Sequence, residues 1–510
     1  MNKQELQRLL KIEERIMQIA TEDLKLKTCP VEFDIVPDQK MLEIMSYNIP
    51  TNISNWKYGR DYERLRTINE NVNPSLPYEV VINSDPARAY LMKSNTFAVQ
   101  VLVMAHVIGH TSFFTMNEYF KNSKKDIIDY MFDAKERFNK YEKKYGIDEV
   151  EKIVDAAHSL YLHTNPFDNE TEEQKIKRIY EQERKEAHKS DTSQFGILSG
   201  IRNKPVIESD IELFNQNLWK DLNTRTPVEP TDDILQYIID RSRILDNWSI
   251  DILKVIKTLG QYYWPIINTK FMNEGFAVIV HEYIMNKLFD ENILTTSEHA
   301  QFNYSNSLVK AENPFSMNPY LIGSKIWEDI IKRWDKGRHG REYEEETNKK
   351  KKEEWDTGEN KGWEKVLSVL EKYTDWFFMQ DFLTPELIKD LKMYVYVIHD
   401  TGTHEDYIIT DSDAKDIKRL IVSLFSNNGI PKITVVDGNY SERGELFLNH
   451  EWSGVNLNLK YAEETMKHIY NIWGKKVLLK TIVDNKSVIF VIDKKDGDFT
   501  SDIILDKEKK

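Results

Sequence analysis

The sequence predicts an α+β protein: a large, mainly helical N-terminal domain that buries a His/Glu site, then a smaller α+β domain. Three observations carry that prediction. Residues 96–120 and 271–289 form two apolar stretches too long, and too poor in turn formers, to be strands. They are apolar nearly all the way round, as helices inside a core are. Beyond about residue 390, short β-branched and aromatic runs alternate with amphipathic helical segments, the pattern of an α+β domain. A chain of 510 residues is long enough for more than one core. The expected division is a helical domain over residues 1–335, a charged linker or surface excursion over 336–364, and the α+β domain over 365–510.

In order, residues 1–25 read as a helix with a stripe of Leu6, Leu9, Leu10, Ile12, Ile16 and Ile19. A loop-rich segment with short extended pieces follows, from Cys29-Pro30 through Asn52 to Arg60. Val80-Val81-Ile82 reads as a strand turning at Asn83-Ser84-Asp85-Pro86. After the first buried helix, residues 126–145, 150–163 and 232–253 read as helices, and the charge-dense run 170–190 as a solvated helix or mobile insertion. Pro265 and Asn268-Thr269 break the chain before the second buried helix. Strands are expected at 393–398, 433–436, 446–449, 477–482 and 487–492, with helices at 411–425 and 461–473.

Composition excludes several classes. A net charge of -14 argues against non-specific binding to nucleic acid or anionic membranes. The single cysteine, Cys29, rules out an internal disulfide framework and a Cys-rich zinc site. The opening MNKQELQRLLKIEERI is a charged amphipathic helix without a signal-peptide core, and His106 and His110 interrupt the longest apolar run before it reaches roughly twenty residues. A cytoplasmic protein with no membrane span is expected.

His106 and His110 stand four apart, on one face of the first buried helix; Glu274 and His281 stand seven apart, on one face of the second. Buried imidazoles must be hydrogen-bonded or bound to something. A divalent metal satisfies them together, zinc first, with iron or manganese able to use the same ligands. Asp155 and His158, three apart on another helix, could add ligands or support them. The plainer alternative is a set of buried histidines held by hydrogen bonds, with Glu274 pairing locally. Weaker candidates are Ser199, which lacks the Gly-x-Ser-x-Gly elbow, and the cluster Trp56-Lys57-Tyr58-Gly59-Arg60. Asp437, Asn439 and Arg443 could bind a ligand, although Asp and Asn are also the residues that turns favour for local reasons, the favoured reading here.

The HxxxH and NEGFA pair resembles the zinc site of gluzincin metallopeptidases. Those enzymes carry a general-base glutamate directly after the first histidine, and Val107 stands there in this chain, which argues against ordinary peptide hydrolysis. Several stretches together resemble the SpoVR family (stage V sporulation protein R): YEVVINSDPARAYLMKSNT with VLVMAHVIGHTSFF, TKFMNEGFAVIVHEYIM, NPYLIGSKIWEDI, FLTPELIKDL, and VVDGNYSERGELFLNHEWSGVNLNLKYAEETMKHIYNIWGKKVLLKT. The chain departs from the family's usual pattern at Ser54-Asn55-Trp56, at Ser112 and Thr115-Met116-Asn117, and in NEGFA for NEGWA. The resemblance implies a cytoplasmic protein acting in assembly of the spore cortex, a modified peptidoglycan, with protein partners in that process. Two functions follow as expectations. One is a metal-dependent hydrolase-like enzyme. The other is a non-enzymatic scaffold binding partners through its C-terminal domain.

Overall fold

A computed structural model of the chain describes residues 3–47, 50–51, 53, 55–72, 79–164, 227, 230–313, 316–400, 405–426, 429–494 and 500–503. The charged run 170–190 and Ser199 lie outside these residues. The chain is α+β, mostly helical with small sheets, and divides into two compact units: Met1–Glu136 with Tyr262–Gly429, and Arg137–Gln261 with Ile430–Lys510.

The first unit is built round two helices. Phe97–Met116, the histidine helix, is buried from Ala98 to Phe114. By length and composition it could cross a bilayer, but here it runs through the core of the unit. Lys270–Asp290, the glutamate helix, is buried along most of its length. It begins after Thr269, whereas Pro265 sits inside the preceding helix Asn247–Asn268. Neither the backbone N–H of Phe271 nor that of Met272 is capped locally. Both donate to the Asp375 carboxylate, at 2.9 and 2.8 Å, so a residue a hundred positions away closes the helix N-terminus.

Glycine sets how closely these helices approach. A Cβ on Gly109 would lie 2.6 Å from Ala277 Cα, so the two helices cross backbone to backbone between His106 and His110. On its other side the glutamate helix meets Pro319–Asp335, where a Cβ on Gly275 would lie 2.2 Å from the Gly323 carbonyl carbon. Phe276 and Trp327 are fully buried beside this contact, each contributing about 2–3 kcal/mol of hydrophobic burial. The Trp327 indole donates to the Met272 carbonyl at 3.0 Å.

A three-stranded sheet flanks the histidine helix. β1 (Val31–Val36) pairs parallel with β3 (Ala87–Met92), and β2 (Glu79–Ile82) pairs antiparallel with β3. β3 leads almost directly into the histidine helix, and the Gln100 amide ties the first turn back to the Met92 carbonyl at 2.9 Å. The N-terminal helix, Lys3–Gln18, buries Leu9, Ile12 and Ile16, while Leu6 and Leu10 of the expected stripe are exposed. Arg15 forks onto Glu291, with contacts of 2.6 and 2.8 Å.

The expected boundary near residue 365 lies elsewhere in the structure. Val366, Val369 and Leu370 of Gly362–Lys372, Phe378 of Asp375–Phe382, and Ile417 and Ile421 of Ala414–Phe425 all join the core that holds the histidine and glutamate helices. Their apolar faces have a partner there, so they do not start a new domain. The charged stretch 337–362 forms two short helices, Gly340–Glu345 and Lys349–Glu353, folded back through Arg338, which donates to the Trp355 and Glu353 carbonyls. The first unit also contains a hairpin, β4 (Val395–Asp400) with β5 (Glu405–Asp411).

The second unit carries a five-stranded mixed sheet in the order β10-β9-β8-β7-β6, over β6 (Ile433–Tyr440), β7 (Glu445–His450), β8 (Val477–Val483), β9 (Lys486–Ile492) and β10 (Thr500–Ile503). β7 and β8 are parallel, so their connection must cross over, and the helix Leu459–Trp473 supplies it. β8 and β9 join through Asp484-Asn485, both at positive φ, the conformation a two-residue hairpin turn needs. Asp437 and Asn439 hold local turns, accepting from the backbone N–H groups of Asn439 and Gly444.

Gly275→Ala tests the close approach. Alanine in a helix interior ordinarily gains about 1 kcal/mol over glycine. Here the added methyl meets fixed backbone, and we expect a net loss of about 1–3 kcal/mol, read as a lower midpoint in urea or thermal unfolding.

Candidate metal centre

Four side chains from three elements converge in the first unit. β2 supplies Glu79, the histidine helix His106 and His110, and the glutamate helix Glu274. Glu274 Oε2 lies 3.6 Å from His106 Nε2 and 3.4 Å from His110 Nε2, and Glu79 Oε1 lies 3.8 Å from His106 Nε2. One ligand atom each from Glu79, His106 and His110 fall within 4.8 Å of one another. The histidine side chains are buried, and the Glu79 and Glu274 side chains are 15% and 19% exposed, with Glu274 Oε2 itself buried.

These separations distinguish the two readings of the buried histidines. Hydrogen bonds between such groups close to about 2.7–3.2 Å. Two ligands about 2.0–2.1 Å from a tetrahedral ion stand about 3.3 Å apart. The spacing matches groups arranged about a common ion better than groups bonded to each other. Accordingly His106 Nε2 and Glu274 Oε2 are buried without a hydrogen-bond partner, a costly state unless something else is bound. The residues fit a divalent cation.

The surroundings hold the rings in place. His110 Nδ1 lies 2.9 Å from Asn273 Oδ1, which turns the Nε2 lone pair toward Glu274. His106 Nδ1 lies 2.9 Å from His281 Nδ1, and His281 Nε2 lies 2.9 Å from Asn306 Oδ1. Both nitrogens of His281 are thus engaged, and this residue stands behind His106 rather than beside it as a ligand. Tyr320 lies on the carboxylate side, its ring 6.0 Å from that of His106. Asp155 and His158 belong to the second unit, on the helix Ile147–Leu160, where His158 meets Tyr161 edge-on at 5.7 Å.

Electrostatics divides the group. Burial, then the charge of His106, lowers the His110 pKa to about 4, so its ring is neutral near pH 7, the form that binds metals. Burial opposes charge on His106 too, but the nearby carboxylates of Glu274 and Glu79 outweigh it and raise the pKa. Burial raises Glu79, with His106 opposing and Glu274 adding to the rise. Glu274 is lowered: burial works against its charged form, but His110 and His106 prevail. The charge of Glu274 and then burial push the Tyr320 phenol up, so it stays un-ionised.

The sequence singled out His106, His110 and Glu274, and the structure brings them together. Glu79, Asn273, Asn306 and Tyr320 were missed. Asn273 stands next to Glu274 in the motif itself, and Tyr320 lies in NPYLIGSKIWEDI. Glu79, at the start of a strand, gave no signal of its own.

Fold and site define a class: a two-part α+β protein whose helical part buries a His/His/Glu group able to hold a metal ion. Residues 3–430 match the profile described as SpoVR like protein, and residues 431–484 match the SpoVR-like C-terminal domain. The chain belongs to the SpoVR family. The two profiles meet beside the Gly429/Ile430 boundary between the compact units. The chain is 26% identical over 484 residues, 91% of its length and 90% of the other's, to "Uncharacterized protein YcgB" of Escherichia coli (strain K12). No solved structure matches it.

Two predictions follow from the site. Elemental analysis of untagged protein should find near-stoichiometric metal, absent from His106→Ala/His110→Ala; a metal-free, well-folded wild type after incubation with zinc, iron or manganese would contradict it. The second concerns Asp375, whose pKa burial raises to about 7 against opposing backbone hydrogen bonds. The folded state therefore binds this proton more tightly than the unfolded chain. Its contribution to stability is full below the unfolded pKa and is lost as pH rises through about 7. Urea unfolding between about pH 5 and about pH 8 should show a shallower fall in Asp375→Asn than in wild type.

Proposed function

We propose that this SpoVR-family protein is a metal-dependent hydrolase acting on cell-wall peptidoglycan or its precursors, with a zincin-like site used in forming the spore cortex. The observation that carries the catalytic part is the convergence of bare acceptor atoms on one point, with His106 Nε2 and Glu274 Oε2 left without partners. The family resemblance supports the cell-wall part.

Geometry supports separate roles for the two carboxylates. Glu274 approaches both histidines, at 3.4 and 3.6 Å, as the third ligand of a His/His/Glu set does. Glu79 lies farther out, 3.8 Å from His106 and within 4.8 Å of His110, and comes from a different element. That placement suits a general acid and base, the role left vacant by Val107. The opposite pKa directions of the two carboxylates agree with this division. A divalent ion bound here would supply Lewis acidity and an activated water. Tyr320, un-ionised, offers a hydroxyl donor beside Glu274 for a substrate oxygen.

The test incubates metal-loaded protein with purified peptidoglycan and soluble wall precursors, and reads cleavage by mass spectrometry. We expect turnover that chelation abolishes. Glu79→Gln should keep its metal and lose about 100-fold or more in rate. Metal-replete protein that leaves every wall substrate intact would overturn the substrate assignment. Protein that folds but takes up no metal would overturn the enzyme reading and favour the scaffold.

A further inference from the structure

Behind the metal group lies a chain of side chains whose hydrogen-bond directions are forced by chemistry. Glu282 Oε1 accepts from the Lys310 ammonium and from Asn306 Nδ2, the latter at 2.6 Å. A carboxylate can only accept, so the amide NH2 of Asn306 faces Glu282 and its carbonyl oxygen faces His281. That oxygen, 2.9 Å from His281 Nε2, can also only accept, so Nε2 carries the hydrogen. The ring is buried and its two nitrogens meet only the Asn306 amide oxygen and the His106 imidazole, with no carboxylate to hold a second proton, so Nδ1 is a lone pair. His106 Nδ1, 2.9 Å away, must then donate to it. Once His106 gives up its second proton, as it must to bind an ion, a hydrogen donated from Nδ1 leaves Nε2 bare, and Nε2 is the atom that faces Glu274 and Glu79.

Resting on the metal reading above, we infer that Lys310, Glu282, Asn306 and His281 are positioning residues that set the tautomer of His106 and thereby its ability to bind the ion. None of the four offers a ligand. The chain starts at a Lys310–Glu282 pair whose side chains are 21% and 24% exposed, and ends at a nitrogen buried among the ligands. Inverting any link inverts the outcome. With a donor in place of the Asn306 oxygen, His281 would protonate at Nδ1, and His106 would have to carry its hydrogen on Nε2, where it blocks the metal. Supporting groups of this kind commonly change metal affinity by about 10–100-fold.

The experiment uses the full chain. Zinc affinity is measured by competition with a chromogenic chelator for wild type, Asn306→Leu, Glu282→Leu and Glu282→Gln. The metal-free proteins are labelled with 15N-histidine to read ring tautomers by NMR. Asn306→Leu and Glu282→Leu should bind zinc on the order of 10–100-fold more weakly. Glu282→Gln, which keeps a carbonyl acceptor for Asn306, should stay within about threefold of wild type. At a pH high enough for His106 to carry a single hydrogen, metal-free wild type should show His281 protonated at Nε2 and His106 at Nδ1, with a mixture in Asn306→Leu. A purely structural role would lower thermal stability and leave the tautomers unchanged. Undiminished zinc affinity in folded Asn306→Leu, or wild-type His281 protonated at Nδ1, overturns the inference. If Asn306→Leu does not fold, the two Glu282 variants read the same link from the surface end. If wild type binds no zinc, the metal reading fails, and the tautomers of the metal-free protein still decide whether the chain operates.

Discussion

Everything near the centre of the first unit answers to one electrostatic constraint: acceptor atoms crowd together where little water reaches them. Two carboxylates and two imidazole nitrogens stand 3.4–3.8 Å apart in the contacts that join them. At such distances charge interactions that water would screen are several times stronger. Protons relieve this only in part, since His110 is held neutral by burial. A divalent cation relieves all of it at once. The neighbours act on the geometry of these atoms: Asn273 turns one ring, His281 turns the other, and Asp375 anchors the first turn of the helix that carries Glu274.

The cluster can form only because the helices behind it come unusually close. Gly109 sits between the two histidines and lets Ala277 of the glutamate helix press against the backbone there. Gly275, one residue after Glu274, does the same toward Gly323. The residues that bind and the residues that permit contact are therefore interleaved in sequence. Larger side chains at either glycine would widen the crossing, and a ligand spacing near 3.5 Å does not tolerate that. The wide burial of Phe276, Trp327 and Phe378 around the crossing makes it rigid enough to hold such a spacing.

That interleaving explains what was legible in the sequence. His106, His110 and Glu274 stand out because polar residues at helical spacing inside apolar runs are conspicuous. Four of the five strands of the C-terminal sheet, all but β10, were legible from their β-branched runs, and the parallel pair β7 and β8 is joined by a helix that the sequence also displays. Glu79 was hidden because a glutamate opening a strand looks like any solvated one. Only the antiparallel register, Glu79 opposite Leu91, carries it to the histidine helix. Asp375 was hidden because its capping role is exerted on a helix a hundred residues away. The boundary near 365 was misplaced for a related reason: amphipathic helices announce that they have an apolar face, but not which core receives it.

The same register bears on how this site differs from a gluzincin one. In that arrangement the base follows the first histidine on one helix, so ligand and base share a backbone. Here Val107 occupies that position and is wholly buried in the core. A carboxylate there would be deprived of water with no partner in reach. A second carboxylate must come from another element, and β2 is suited to provide it. β2 pairs with β3, β3 runs into the histidine helix, and Gln100 ties that junction to Met92. Glu79 is thus fixed relative to His106 through a short path of paired backbone rather than through a loop. A site assembled this way keeps the position after His106 apolar and brings the second acidic group in from a strand.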